Sequence, residues 1–166
     1  MRRLRPAALA LVLLAGCFGP NPNVTESGKG KPLLSVEFPD TAAPGSVETA
    51  TMTVENPGPG DIRTLAIAFA SVGVAGASGP LPADLVPLTT TSDNPAVVSI
   101  TPEPQEVSAD GVVYYFGPLP EGETTEIEFR IRVPESPGPA ANSVTAYAGE
   151  ETDRIRGLRL DTMVTG

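Results

Sequence analysis

The chain has 166 residues, enough for one ordinary domain with a sizeable core. Its 19 prolines and 17 glycines argue against a helical bundle, because proline inside a helix removes a hydrogen bond and clashes with the preceding turn. With Arg2, Arg3 and Arg5 of the N-terminus set aside, 8 basic residues face 20 acidic ones, and the net charge of −12 argues against nucleic acid and anionic lipid headgroups as partners.

The first seventeen residues fall into three parts. A positive start, Met1-Arg2-Arg3-Leu4-Arg5, precedes an apolar run from Ala7 to Leu14, and Leu14-Ala15-Gly16-Cys17 follows. The run is far shorter than the ~20 residues that span a bilayer. A charged start, a short apolar stretch and small residues before a cut are the marks of an export signal, here residues 1–16. Leu14-Ala15-Gly16-Cys17 resembles the lipobox of bacterial lipoproteins. That resemblance implies diacylation of the Cys17 sulfur and cleavage just before it, with Cys17 as the first mature residue. Two or three acyl chains, at about 0.8 kcal/mol per buried CH₂, hold a protein stably on a membrane where one chain does not. Cys17 is the one cysteine of the sequence, so no disulfide is available and the exported domain relies on its core.

Residues 17–32 carry the lipidated cysteine and a tether. The stretch Phe18 to Pro32 is rich in Gly and Pro and holds only isolated apolar residues. As a random coil it reaches roughly 20 Å, and fully stretched at most about 50 Å.

Residues 33–166 read as one folded unit. Leu34, Val36 and Phe38 alternate with polar residues, as do Ala50, Met52 and Val54, before the abrupt turn Asn56-Pro57-Gly58-Pro59-Gly60-Asp61. Leu65, Ile67 and Phe69 share a face. The stretch Gly73 to Pro95 is the least regular, and its Leu81-Pro82-Ala83-Asp84-Leu85 is open to a single helical turn or a crossover loop. Ala96 to Ile100 and Val112 to Phe116 read as strands. Thr125 to Val133 gives the cleanest alternation, with Ile127, Phe129, Ile131 and Val133 on one face and Glu126, Glu128, Arg130 and Arg132 on the other. Ser143 to Ala148 and Ile155 to Val164 complete the set. About seven or eight short strands with turns between them predict an all-β, immunoglobulin-like antiparallel β-sandwich.

The motifs Thr53-Val54-Glu55-Asn56-Pro57-Gly58, Leu81-Pro82-Ala83, Phe116-Gly117-Pro118-Leu119-Pro120-Glu121-Gly122-Glu123 and Asn142-Ser143-Val144 occur in that order. The series resembles the immunoglobulin-like conserved-repeat domains of bacterial surface proteins and their cell-adhesion-related relatives. The resemblance covers about Leu33 to Asp153 and implies a spacer or adhesive role without catalytic residues.

Catalytic machinery is hard to assemble from this sequence. There is no histidine, which removes Ser-His-Asp and Cys-His arrangements and the usual zinc ligands. Lys29 and Lys31 both lie in the tether. A carboxylate pair of the glycosidase kind needs a cleft, usually with aromatic platforms, and the sequence has no Trp. Tyr114, Tyr115 and Tyr147 are expected on strands, and of the adjacent pair one side chain should face inward and the other outward. The loop Ala148-Gly149-Glu150-Glu151-Thr152-Asp153 offers Glu150, Glu151 and Asp153 as weak calcium candidates. The plainer reading is a solvated acidic turn.

These readings lead to a non-enzymatic lipoprotein without cofactor, held on a cell or outer membrane through Cys17 and facing the exported side. The domain would present a surface to an envelope or surface protein. The alternatives are an accessory subunit of an envelope transport or secretion complex, or a weak calcium- or small-ligand-binding lipoprotein.

Overall fold

Alternation along the sequence becomes alternation of buried and exposed side chains in the computed structural model, which describes residues 31–71, 81–88, 95–149 and 157–166. The signal, Cys17, most of the tether, and Glu150, Glu151 and Asp153 lie outside these residues. The described chain is all-β. Its strands are β1 (Leu33–Glu37), β2 (Thr41–Ala42), β3 (Val47–Glu55), β4 (Leu65–Ala70), β5 (Ala83–Asp84), β6 (Val97–Thr101), β7 (Glu106–Val107), β8 (Val113–Tyr115), β9 (Thr124–Arg132), β10 (Gly138–Ala148) and β11 (Leu158–Val164).

The strands form two sheets that face each other as an immunoglobulin-like sandwich. One sheet has the order β1-β3-β9-β6, and the other β2-β11-β10-β4-β8-β7, with β5 beside β10. With β1, β3, β9 and β6 in the places of strands A, B, E and D, and β11, β10 and β4 in those of G, F and C, both orders follow the immunoglobulin pattern. Each of the eight expected strand regions holds a strand. Two refinements follow from tertiary pairing. The pairs β2–β11 and β5–β10 are parallel, so the sandwich is not purely antiparallel. Leu81-Pro82-Ala83-Asp84-Leu85 is neither a helical turn nor a bare loop, because its centre is β5, which lies along Ala140 and Ala141.

The inward rows of both sheets build the core. Ala50, Met52 and Val54 from β3 and Ile127, Phe129 and Ile131 from β9 meet Leu65, Ile67 and Phe69 from β4, with Val144 and Leu160 beside them, all buried. Phe129 stands at the junction. Its ring meets Phe69 at 5.3 Å, Tyr114 at 5.2 Å and Phe116 at 6.4 Å between centroids, each edge-to-face. That geometry sets the positive ring edge against the negative ring face. On the outer face of β9, Glu126, Glu128 and Arg130 are exposed.

The turn after β3 is fastened to the loop before β9. Buried Asn56 donates through Nδ2 to the carbonyls of Gly60 (3.0 Å) and Leu119 (2.9 Å), and its Oδ1 accepts from the Gly58 amide (3.0 Å). The Gly122 amide donates to Asn56 O, and the Asn56 amide to Glu123 O. Gly58 has φ 79°, a conformation that glycine adopts without strain, and this lets the Asn-Pro-Gly turn close. Two motifs far apart in sequence thus form one structural unit.

Candidate binding groove

The two sheets end differently on the flank where β6 is the edge of one and the β7–β8 hairpin the edge of the other. A groove of about 560 Å³ opens there. Val97, Val98 and Ile100 of β6 form one wall, Val107 and Tyr114 of the hairpin the other, and Val86 lies at the base. A second cavity of about 360 Å³ lies beside it, lined in part by Phe116, Leu119, Ile127 and Glu123; Glu103 borders both.

The wall made by β6 depends on an irregularity. Val97 pairs with Ile131, and the register then shifts so that Ser99 pairs with Arg130 and Ile100 with Phe129. Residues three apart in a regular strand point to opposite faces. The bulge lets both Val97 and Ile100 pack against the core and leaves Val98 41% exposed.

Backbone pairing on this edge follows from β9. The Val133 amide donates to Ser46 O, and the Arg132 amide donates to Ala96 O. The odd-numbered residues at this end of β9 therefore turn their backbone groups towards β3 and the even-numbered ones towards β6. Ser99 and Thr101, opposite Arg130 and Glu128, turn theirs to β9. Ile100, opposite Phe129, directs its N–H and C=O away from the sheet, at the rim of the groove.

The hairpin wall is held by a turn at Ser108 to Gly111. The Gly111 amide donates to Ser108 O (2.8 Å), and the Val113 amide to Ser108 Oγ (2.9 Å). The Ser108 hydroxyl donates to Asp110 and holds that carboxyl below its usual range. Tyr114 is buried, and its hydroxyl donates to Gly111 O at 2.7 Å. Burial, with the Asp110 charge adding to it, pushes the Tyr114 hydroxyl up to about 12.

The base is fixed by Asn142, which is wholly buried on β10. Its Oδ1 accepts from the Val86 amide (2.7 Å), and its Nδ2 donates to Val86 O (3.2 Å) and Ala70 O (3.4 Å). Asn142 thus supplies the edge-like contact that carries the chain beyond β5.

Charge around the groove is one-sided. Glu103 is exposed at its margin, exposed Glu123 lines the neighbouring cavity, and no Lys or Arg is among the described residues lining either one. Arg130 belongs to the alternate row of β9, on the outer face of its sheet.

The expected site residues divide between these surroundings. Tyr114 faces inward as a groove wall, and half-buried Tyr115 faces outward. Tyr115 and Tyr147 stand opposite Ala66 from either side, in one row on the outer face of their sheet. Cys17 and the calcium candidates Glu150, Glu151 and Asp153 lie outside the described residues, and no group of three or more His, Cys, Asp or Glu suited to a metal occurs among the described ones. Sequence reasoning missed the groove itself. The uncharged run Val97-Val98-Ser99-Ile100-Thr101 was its available signal.

No family model, curated protein or solved structure matches this chain.

Proposed function

We propose that this protein is a membrane-tethered, non-catalytic lipoprotein whose β-sandwich presents a binding surface to other proteins of the cell envelope. The observation that carries the reading is the apolar groove of about 560 Å³ beside β6, whose outer edge pairs with no strand among the described residues. Its volume is in the range of ligand sites, and its walls offer apolar contact and backbone hydrogen bonding. The anchor is argued from Leu14-Ala15-Gly16-Cys17, whose resemblance to a lipobox makes Cys17 the acylated residue. The serial likeness to conserved-repeat surface domains supports the same role. In this reading the tether holds the start of the domain within about 50 Å of the membrane.

Proximity labelling in intact cells tests this, with a labelling enzyme fused after Gly166 and Cys17→Ser as control. The expected result is a short, reproducible set of envelope proteins that disappears in the control. A labelling pattern unchanged by Cys17→Ser would overturn the lipid-anchored reading. A diffuse set of abundant proteins would overturn the specific binding role.

A further inference from the structure

We propose that the β6 edge and its groove take an extended segment of a partner protein, with alternating apolar residues flanked by Lys or Arg, as an added strand. The inference rests on the reading of the protein as an interaction module and deepens it. Three observations converge.

The first is the edge. Unpaired N–H and C=O groups template another strand, and proteins blunt such edges with short strands, proline or charge. Strands β2 and β7 are each two residues long. In contrast, β6 is five residues long, carries no charge and no proline, and leaves the Ile100 N–H and C=O directed outward. Val-Val-Ser-Ile-Thr is rich in the β-branched residues that favour pairing. The bulge confines regular pairing to the half of β6 around Ile100, so a short segment fits and a long flat sheet does not.

The second is the groove alongside. A strand added at β6 sends alternate side chains to one side, and the apolar walls Val97, Ile100 and Val107 lie there to receive them. Backbone pairing supplies the attachment and the groove selects apolar residues at every second position.

The third is charge. Glu103 borders the groove, Glu123 lines the cavity beside it, no Lys or Arg is among the described lining residues of either, and the chain as a whole is acidic. Complementarity selects basic residues beside the apolar ones, and it speeds encounter.

The test uses the full chain in a non-ionic detergent and two capped heptapeptides, Lys-Val-Thr-Val-Thr-Val-Lys and its Glu-flanked counterpart, each with a fluorophore. Anisotropy should show the Lys peptide binding at least about tenfold more tightly than the Glu peptide at low salt, with the difference shrinking as salt rises. Val98→Lys changes an exposed side chain, adds a charge to the edge, and should weaken the Lys peptide at least about tenfold. Ile100→Pro removes the outward N–H without touching a bond to β9, and should abolish binding while circular dichroism reports the fold. Absence of binding, equal binding of both peptides, or binding indifferent to Val98→Lys overturns the proposal. Concentration-dependent dimerisation that Val98→Lys abolishes also overturns it, because the occupant would then be a second copy of this chain. Peptide titration and cellular labelling fail separately. A specific neighbour without peptide binding removes the added strand and leaves the module.

Discussion

Tyr114 joins two scales of chemistry in one side chain. Its ring packs edge-to-face on Phe69 and Phe129, and its hydroxyl reaches the Gly111 carbonyl, so the residue fixes both the core and the turn that shapes the groove. The hydroxyl ionises at about 12 in the folded protein, against an ordinary 10.0. Below 10 both folded and unfolded chains hold the proton. Between the two values the unfolded chain releases it and the folded chain keeps it, so the contribution to stability falls as pH rises through this window. Urea unfolding at about pH 9 and about pH 11 should show a loss of stability that is shallower in Tyr114→Phe. The same substitution removes one hydrogen bond and should cost about 1 kcal/mol at neutral pH.

At the scale of elements, the hydrogen-bonding side chains decide how irregular pieces attach to regular ones. Asn142 occupies an inward position of β10, in line with Val144 and Ala146, where an apolar residue would satisfy the core equally well. It is retained at that position by the chain after β5, whose Val86 amide and carbonyl have Asn142 as their partner. Asn142→Ala leaves those backbone groups buried without partners and should destabilise the protein by about 3 kcal/mol. Amide exchange at Val86 should speed up more than exchange in β3 or β9, since the groove base loosens before the sheets part. Asn56 plays the equivalent part at the turn after β3. Both asparagines lie in motifs visible in the sequence, yet neither motif states which backbone groups it serves.

For the whole molecule, cohesion between the sheets passes through few large side chains. Aromatic residues are sparse at 5% of the chain, and four of them, Phe69, Tyr114, Phe116 and Phe129, converge on one point. Phe129 comes from one sheet and the other three from the opposite sheet and its continuation. Phe129→Ala opens a cavity at this junction and should cost about 3–5 kcal/mol, measured by chemical unfolding. With no cysteine beyond Cys17, no disulfide offsets that loss. Among the described residues β6 is the edge of one sheet and β7, paired with β8, the edge of the other, and the groove lies where the chain passes from the first edge to the second.

The sequence by itself determined the all-β class and the eight principal strand regions, because alternation is local and burial on one face of a sheet requires it. It determined the inward rows, from Ile127, Phe129 and Ile131 to Ala50, Met52 and Val54, for the same reason. Only the tertiary structure decided which strands pair, that β2 and β5 pair in parallel, and that Leu81 to Leu85 contains a strand. A two-residue strand has no period of its own, and its bonding comes from a distant partner. The tertiary structure also decided the groove. Val97 and Val107 are ten residues apart and lie on different sheets, and a bulge reverses the face that simple alternation assigns along β6. Local pattern specifies which side of a strand is apolar, and long-range packing specifies where two such sides leave a space between them.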